Sequence, residues 1–261
     1  GLDVLIFDSA APGGKLNVTA QIENYPGLKP TPGPEIAFTM YESALSFGAK
    51  MEYGEVLDIK DYGDYKEVIT AKQTYQTKYV LIATGTKERQ MNLEKENELV
   101  GRGISYCAVC DGPFFKNQEV AVIGGGNVAM DAARSALRCG AKDVRIVYRR
   151  RQEDMTALDT EIESAVMEGI ELMLLQAPKS IEKDENGDCC ALWVQPQMIG
   201  AYRGGRPSPV DSASKDPLRV PCDVVLIAVG QDIVSEPFEE FGMPAEWHVF
   251  KAGLDTAVEG M

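Results

Sequence analysis

Residues 118–129 read Gln-Glu-Val-Ala-Val-Ile-Gly-Gly-Gly-Asn-Val-Ala, and this stretch decides the fold. The apolar run 120–123 is short and uninterrupted, the pattern of a parallel strand buried on both faces. It leads straight into Gly124, Gly125, Gly126, Asn127, Val128 and Ala129, a G-x-G-x-x-A pattern. Gly124 permits a tight turn, Gly126 lets the backbone approach a pyrophosphate, and Ala129 lets the next helix pack close to the strand. Ala129, Met130, Ala132, Ala133, Ala136 and Leu137 supply helix formers along an apolar face, and Gly140 is placed to end the helix. Residues 144–148 make a second strand. A glycine turn alone is weak evidence. Between strand, helix and strand it predicts a dinucleotide whose phosphates sit on the helix N-terminus.

The end of the second strand bears on which dinucleotide. An NAD site usually carries Asp or Glu there, bonded to the ribose 2′-hydroxyl. Here the strand ends at Tyr148, Arg149, Arg150 and Arg151. A carboxylate repels a 2′-phosphate, whereas guanidinium groups grip it in pairs of hydrogen bonds, so NADPH is favoured over NADH. The plainer alternative is a solvated basic turn. Residues 222–229 read as a buried strand ending at Gly230 and Gln231, the last strand of this domain.

Just upstream lie Cys107 and Cys110, a C-x-x-C pair, with Asp111 beside them. This spacing serves redox chemistry or metal binding. Structural zinc normally takes four ligands, and the chain has no second C-x-x-C and a single histidine, His248, so no metal is expected. Two incidental thiols remain the bland alternative. A carboxylic acid next to a dithiol can shuttle the proton a leaving thiolate needs.

The run Cys-Ala-Val-Cys-Asp-Gly, the preceding Gly101-Arg102-Gly103-Ile104-Ser105 and the following Lys-Asn-Gln-Glu-Val-Ala-Val-Ile-Gly-Gly-Gly-Asn resemble low-molecular-weight thioredoxin reductases. So do Gly13-Gly14-Lys15-Leu16-Asn17 and Ile22-Glu23-Asn24-Tyr25-Pro26-Gly27. Beyond about residue 150 the chain also looks like the small subunit of glutamate synthase, through Asn-Val-Ala-Met-Asp-Ala-Ala-Arg, Val-Tyr-Arg-Arg and Ala-Val-Gly-Gln. Both belong to one flavoprotein superfamily with two Rossmann-like domains.

The resemblance implies an α/β protein in which electrons pass from NADPH through FAD to a Cys107–Cys110 disulfide and on to a thioredoxin-like protein disulfide, in a cytoplasmic homodimer. It implies that Cys110 lies nearer the flavin, that Cys107 attacks the partner and that Asp111 acts as acid. It also implies FAD contacts at Asp8, at the loop Gly13, Gly14, Lys15 and Leu16, at Asn24, and at the turn Ala83, Thr84 and Gly85. In one respect the chain departs from the pattern: Asp154 stands where these reductases carry a further Arg, so Arg151 is an alternative phosphate ligand. The rival enzyme reading is a flavin subunit feeding a partner's iron–sulfur centre, which has no use for Cys107 and Cys110. A rival of another class is a nucleotide-binding module without turnover.

Composition agrees with an enzyme. At 261 residues and 44% hydrophobic content the chain can bury a sizeable core. A net charge of −14 argues against nucleic acid as a partner, because phosphate backbones demand excess Lys and Arg. No apolar run is long enough to span a membrane. Cys139 and Cys222 read as packing residues, and Cys189 and Cys190, following the turn signal Glu-Asn-Gly-Asp, as incidentally exposed.

Residues 1–88 read as a partial FAD-type domain, 89–232 as the NADPH domain, and 233–261 as a return toward the first. Residues 2–7 form a strand closed by Asp8, and residues 35–47 a helix stopped at Gly48. Short strands follow around the turn 61–64, with Val56, Ile59, Val68, Ile69 and Tyr79 as core. Residues 88–97 read as a solvated polar link, 181–198 as a hairpin and 200–219 as a loop or excursion. A strand, a glycine loop and a helix, roughly 25–35 residues by the βαβ spacing, are expected ahead of Gly1. These 261 residues alone are therefore expected to hold FAD weakly and to lack full activity.

Overall fold

The computed structural model describes residues 2–19, 21–22, 25–243, 245–246 and 249–250. The chain forms two compact units, Gly1–Lys87 with Gln231–Met261, and Glu88–Gly230. No helix among the described residues is long and apolar enough to cross a membrane.

In the first unit β1 (Leu5–Asp8) pairs in parallel with β2 (Lys50–Tyr53), and α1 (Gly33–Ser46) connects them. The helix starts behind Pro32, which cannot continue a helix backward, and ends before Gly48 at φ 90°. β3 (Val56–Asp61), β4 (Lys66–Thr70) and β5 (Thr74–Thr77) form an antiparallel meander with Ile59 and Val68 buried. Tyr79, expected in the core, is 83% exposed, because residues 79–86 pair with no strand among the described residues.

The second unit contains β6 (Lys87–Glu88) in part, α2 (Glu96–Leu99), β7 (Ile104–Ser105), β8 (Glu119–Ile123), α3 (Asn127–Arg138) and β9 (Asp143–Tyr148). It continues with α4 (Asp159–Met167), β10 (Glu171–Leu174), β11 (Gln176–Lys183), β12 (Cys189–Arg203), β13 (Arg206–Asp211), β14 (Leu218–Pro221) and β15 (Val224–Ile227). A parallel sheet runs β10-β9-β8-β15-β7. Successive residues of β8 serve opposite faces, as strand geometry requires. Val120 and Val122 pack on α3 and α4 with Met130, Ala133 and Ile162; Ala121 and Ile123 pack on the antiparallel strands with Leu192 and Val194. The result is three layers, helices, parallel sheet and antiparallel sheet, within a two-domain, Rossmann-like α/β fold.

Three sequence expectations change here. Residues 200–219, expected as a loop or excursion, form a hairpin excursion: β12 runs on to Arg203 and turns through Gly204 and Gly205 into β13, and residues 212–217 lie outside a strand before β14. Glu96 is not on a solvated face; it is 3% exposed and accepts hydrogen bonds from the Met91 and Leu93 N–H groups and the Tyr106 hydroxyl. Cys189 is buried and Cys139 exposed, the reverse of their expected roles, because β12 pairs on both sides while Cys139 caps the outer end of α3.

Candidate coenzyme and disulfide site

The parallel sheet fixes where a ligand can sit. From β8 the strand order steps to β9 and β10 on one side and to β15 and β7 on the other. The loops leaving β8 and β15 therefore diverge, and the crevice between strand ends at such a point is where open α/β sheets bind ligands. The glycine loop follows β8, the arginines follow β9, Gly230 follows β15, and Cys107 follows β7. The sheet thus brings both candidate sites to one edge.

Each glycine of the loop has its own steric reason. A Cβ on Gly124 would stand 2.4 Å from the Ala228 oxygen and 2.8 Å from the Ala129 Cβ, so only Gly lets β15 and α3 close in together. A Cβ on Gly125 would stand 2.4 Å from the Tyr148 ring. At Gly126 the one neighbour is the Thr156 Oγ1, at 3.3 Å. Gly126 precedes the first turn of α3, whose side chain Val128 is 66% exposed, and the open N–H groups there suit a pyrophosphate. Asn127 is already engaged: its Oδ1 accepts the Leu158 N–H at 2.8 Å and ties α3 to the start of α4. Gly230, at φ 105°, accepts the Arg89 N–H at 3.0 Å.

The arginines separate into different roles. Arg151 is consumed by Asp154, with Nε at 2.9 Å from Oδ2 and Nη2 at 3.2 Å from Oδ1, and it also pairs with Glu153 and reaches the Tyr202 hydroxyl. Asp154 first and then Tyr202 hold its guanidinium above the usual range, so its donors are already engaged. Arg150 donates its Nε to the Pro207 oxygen at 2.7 Å. Arg149 is exposed and makes no hydrogen bond or ion pair among the described residues. Desolvation and then the neighbouring guanidiniums of Arg150, Arg206 and Arg89 pull its pKa down. Glycine cradle, helix N-terminus and uncompensated arginines together fit a dinucleotide carrying a 2′-phosphate.

Cys107 and Cys110 are joined as a disulfide with Cα atoms 5.3 Å apart, both half-buried. The Cys107 N–H donates to Ser105 Oγ at 3.1 Å, and the Cys110 N–H points at Cys107 Sγ at 3.2 Å. That second N–H favours a thiolate on Cys107 once the bond opens. Asp111 follows on a turn closed by its own N–H to the Cys107 oxygen at 3.2 Å. Tyr106, next to Cys107, is fixed by its 2.5 Å bond to Glu96; burial and then that carboxylate raise its phenol pKa.

On the flavin side, Asp8 ends β1 and accepts the Ala10 N–H at 3.0 Å. Gly13, Gly14, Lys15 and Leu16 form a loop and short 3-10 helix against α1; a Cβ on Gly13 would meet the Ala37 Cβ at 2.5 Å. Lys15 Nζ donates to Thr86 Oγ1 at 3.3 Å, which sets this loop beside the exposed turn Ala83, Thr84 and Gly85. Asn24 lies outside the described residues.

Sequence reasoning missed Tyr148 as the wall of the glycine loop, Glu96 as the anchor of Tyr106, and Arg206. The Gly204-Gly205 pair, a two-residue hairpin signal, could have revealed the β12–β13 hairpin.

The family model for pyridine nucleotide-disulphide oxidoreductases matches residues 1–260. A thioredoxin reductase of Bacillus subtilis is 32% identical over 264 aligned residues, covering the whole of this chain and 77% of that protein. One from Listeria monocytogenes is 42% identical over 149 residues, 57% of this chain and 46% of that protein. Among solved structures, Lactococcus lactis thioredoxin reductase superposes with a TM-score of 0.70 at 33% identity, over 93% of this chain and 74% of that one. The T. acidophilum thioredoxin reductase gives 0.70 at 26%, over 95% and 75%. The likeness to glutamate synthase, and with it the iron–sulfur alternative, is not supported, since these relatives are thioredoxin reductases. The chain belongs to the pyridine nucleotide-disulphide oxidoreductases and stands, among them, with the thioredoxin reductases, NADPH-dependent disulfide oxidoreductases that use FAD.

Proposed function

We propose that NADPH binds across the β8–α3 loop with its pyrophosphate at Gly126 and its 2′-phosphate at Arg149 and Arg150, and that the Cys107–Cys110 disulfide carries its electrons to a thioredoxin-like protein disulfide. The observation that carries this reading is topological: the disulfide and the coenzyme loop leave the same edge of one parallel sheet. FAD, when bound, supplies the two-electron relay between coenzyme and disulfide. The chain's own residues do the rest. Gly125 and Tyr148 shape the loop, α3 offers N–H groups to phosphate, and the arginines select the 2′-phosphate.

Two electrons and two protons convert the Cys107–Cys110 disulfide to a dithiol. The Cys107 thiolate, supported by the Cys110 N–H, attacks one sulfur of the partner disulfide, and the other sulfur leaves as a thiolate that takes up a proton. Cys110 then attacks the mixed disulfide, releases the reduced partner and restores the internal bond. Asp111 stands next to Cys110 as the proton carrier. Asp8, Gly13, Gly14, Lys15, Leu16, Ala83, Thr84 and Gly85 contact the flavin in this reading, and the working unit is a homodimer in the cytoplasm.

The test is reduction of a thioredoxin disulfide by the FAD-supplemented protein with NADPH as sole reductant, followed by free-thiol release. The expected result is two thiols released per NADPH consumed. NADPH oxidation without thiol release would overturn the disulfide route.

A further inference from the structure

The β12–β13 hairpin brings another arginine to the basic run that ends β9. Arg206 Nη2 donates to the Tyr148 hydroxyl at 3.2 Å and to the main-chain oxygen of Asp154. Two further contacts seat the hairpin there: Arg150 Nε on the Pro207 oxygen at 2.7 Å, and Arg151 Nη2 on the Tyr202 hydroxyl at 3.2 Å. The turn that makes this possible uses Gly204 and Gly205 at φ 57° and 76°, a pair of left-handed positions that side chains resist. Tyr148 is also the ring against which Gly125 packs, so Arg206 is one residue removed from the glycine loop.

The charges around Arg206 do not cancel locally. Both carboxylate oxygens of Asp154 face Arg151, and Glu153 pairs with Arg151 as well. Arg206 forms no ion pair among the described residues, and its Nε and Nη1 carry no hydrogen bond there. Arg149, equally without an acid, lies within the field of Arg206. A chain with net charge −14 has acids to spare, yet this corner keeps a cluster of guanidiniums facing outward. Such a cluster is relieved by a doubly charged anion that accepts several N–H groups at once.

We propose that Arg206 is a specificity-determining residue for the coenzyme, closing over the 2′-phosphate from the hairpin while Arg149 and Arg150 hold it from the end of β9. The proposal rests on the coenzyme site assigned above. It makes the hairpin part of the NADPH site, and the nucleotide is gripped from two layers of the domain rather than one.

Calorimetry on the full chain with adenosine 2′,5′-bisphosphate and 5′-AMP tests it, because the two probes differ only in the 2′-phosphate. Arg206→Ala should weaken 2′,5′-bisphosphate binding about tenfold or more and leave 5′-AMP unchanged, as expected for loss of charge-assisted bonds to that group alone. Arg206→Lys, which keeps the charge but not the fork, should fall between. If Arg206→Ala binds the bisphosphate like the unmodified chain while Arg149→Ala does not, the role of Arg206 is overturned and the coenzyme site stands. If Arg206→Ala weakens both probes equally, the residue only supports the fold and the proposal fails. If the unmodified chain does not distinguish the probes, the coenzyme assignment itself fails, and this one with it.

Discussion

Gly125 lies against the ring of Tyr148 so closely that a Cβ would stand 2.4 Å from Cε2. This contact joins the phosphate loop to the arginine strand, because the same tyrosine donates its hydroxyl to the Asp154 oxygen at 2.7 Å and accepts from Arg206. Gly125→Ala should therefore destabilise the protein by about 1–3 kcal/mol through overpacking. Gly126→Ala meets only Thr156 Oγ1 at 3.3 Å and should fold nearly as well, but weaken NADPH binding by crowding the pyrophosphate. Thermal melts beside NADPH titrations separate the two, and equal melting losses would show that the Tyr148 contact does not matter.

In the proposed site, coenzyme preference follows from the charge of Arg149 and Arg150. The unmodified chain should bind NADPH more tightly than NADH. Replacing both arginines by Ala should cost about 2–3 kcal/mol of NADPH binding and little of NADH binding, since hydrogen bonds to charged groups are the strong ones. Equal affinity of the unmodified chain for the two coenzymes, measured by calorimetry, contradicts the assignment.

The Cys107–Cys110 bond should open and close reversibly. Alkylation followed by mass spectrometry should find two more blocked thiols after reduction than before. Cys107→Ser should lower thioredoxin reduction by about a thousandfold or more, as loss of a nucleophile does, while NADPH binding is unchanged. A bound zinc, or thiols that never oxidise together, would argue against the redox role.

Glu182 gives the antiparallel layer a pH dependence. It accepts from Arg219 through Nε and Nη2 at 2.9 Å each and from Trp193 Nε1 at 2.8 Å, with the Arg219 bond the largest cause, and its pKa is held at about 2. A depressed folded-state pKa means stability that is fully present above the ordinary Glu range and is lost as pH falls from there toward about 2. Glu182→Gln should melt below the unmodified chain at pH 7, and the gap should shrink between pH 4.5 and 2. A gap that stays constant over that range would show the ion pair to be inert.

Among the described residues, a glycine loop that opens a long helix directly after a strand occurs only at α3, in the coenzyme unit. In the proposed flavin site the Gly13 and Gly14 loop and the turn 83–85 would meet ring and ribose, and the described residues there show no comparable set of phosphate donors. The 261-residue chain should therefore hold FAD below one equivalent, read from its flavin absorbance after desalting, while NADPH titration is undisturbed. A yellow protein with a full equivalent of flavin would show that the Gly13 and Gly14 loop supplies the phosphate donors.

Local order was legible in the sequence wherever one residue type meets one geometric demand. The β8–α3 unit, the Cys107–Cys110 pair and the arginines after β9 are all short-range patterns; the strand, the helix and the disulfide form at those positions. Glycine spacing, apolar runs and C-x-x-C encode a turn, a strand and a dithiol within a few residues. What only the tertiary structure decided is which charges remain free. Arg149, Arg150 and Arg151 are indistinguishable in sequence, yet Asp154 takes the third, Pro207 holds the second, and the first has no hydrogen bond or ion pair among the described residues. Glu96 looked like any surface acid until the Met91 and Leu93 N–H groups and Tyr106 closed around it. Arg206 lies 57 residues beyond Arg149 in the chain and reaches Tyr148 only because Gly204 and Gly205 turn a long strand back. Electrostatic roles depend on distances of a few ångströms between residues far apart in sequence, and those distances are set by packing.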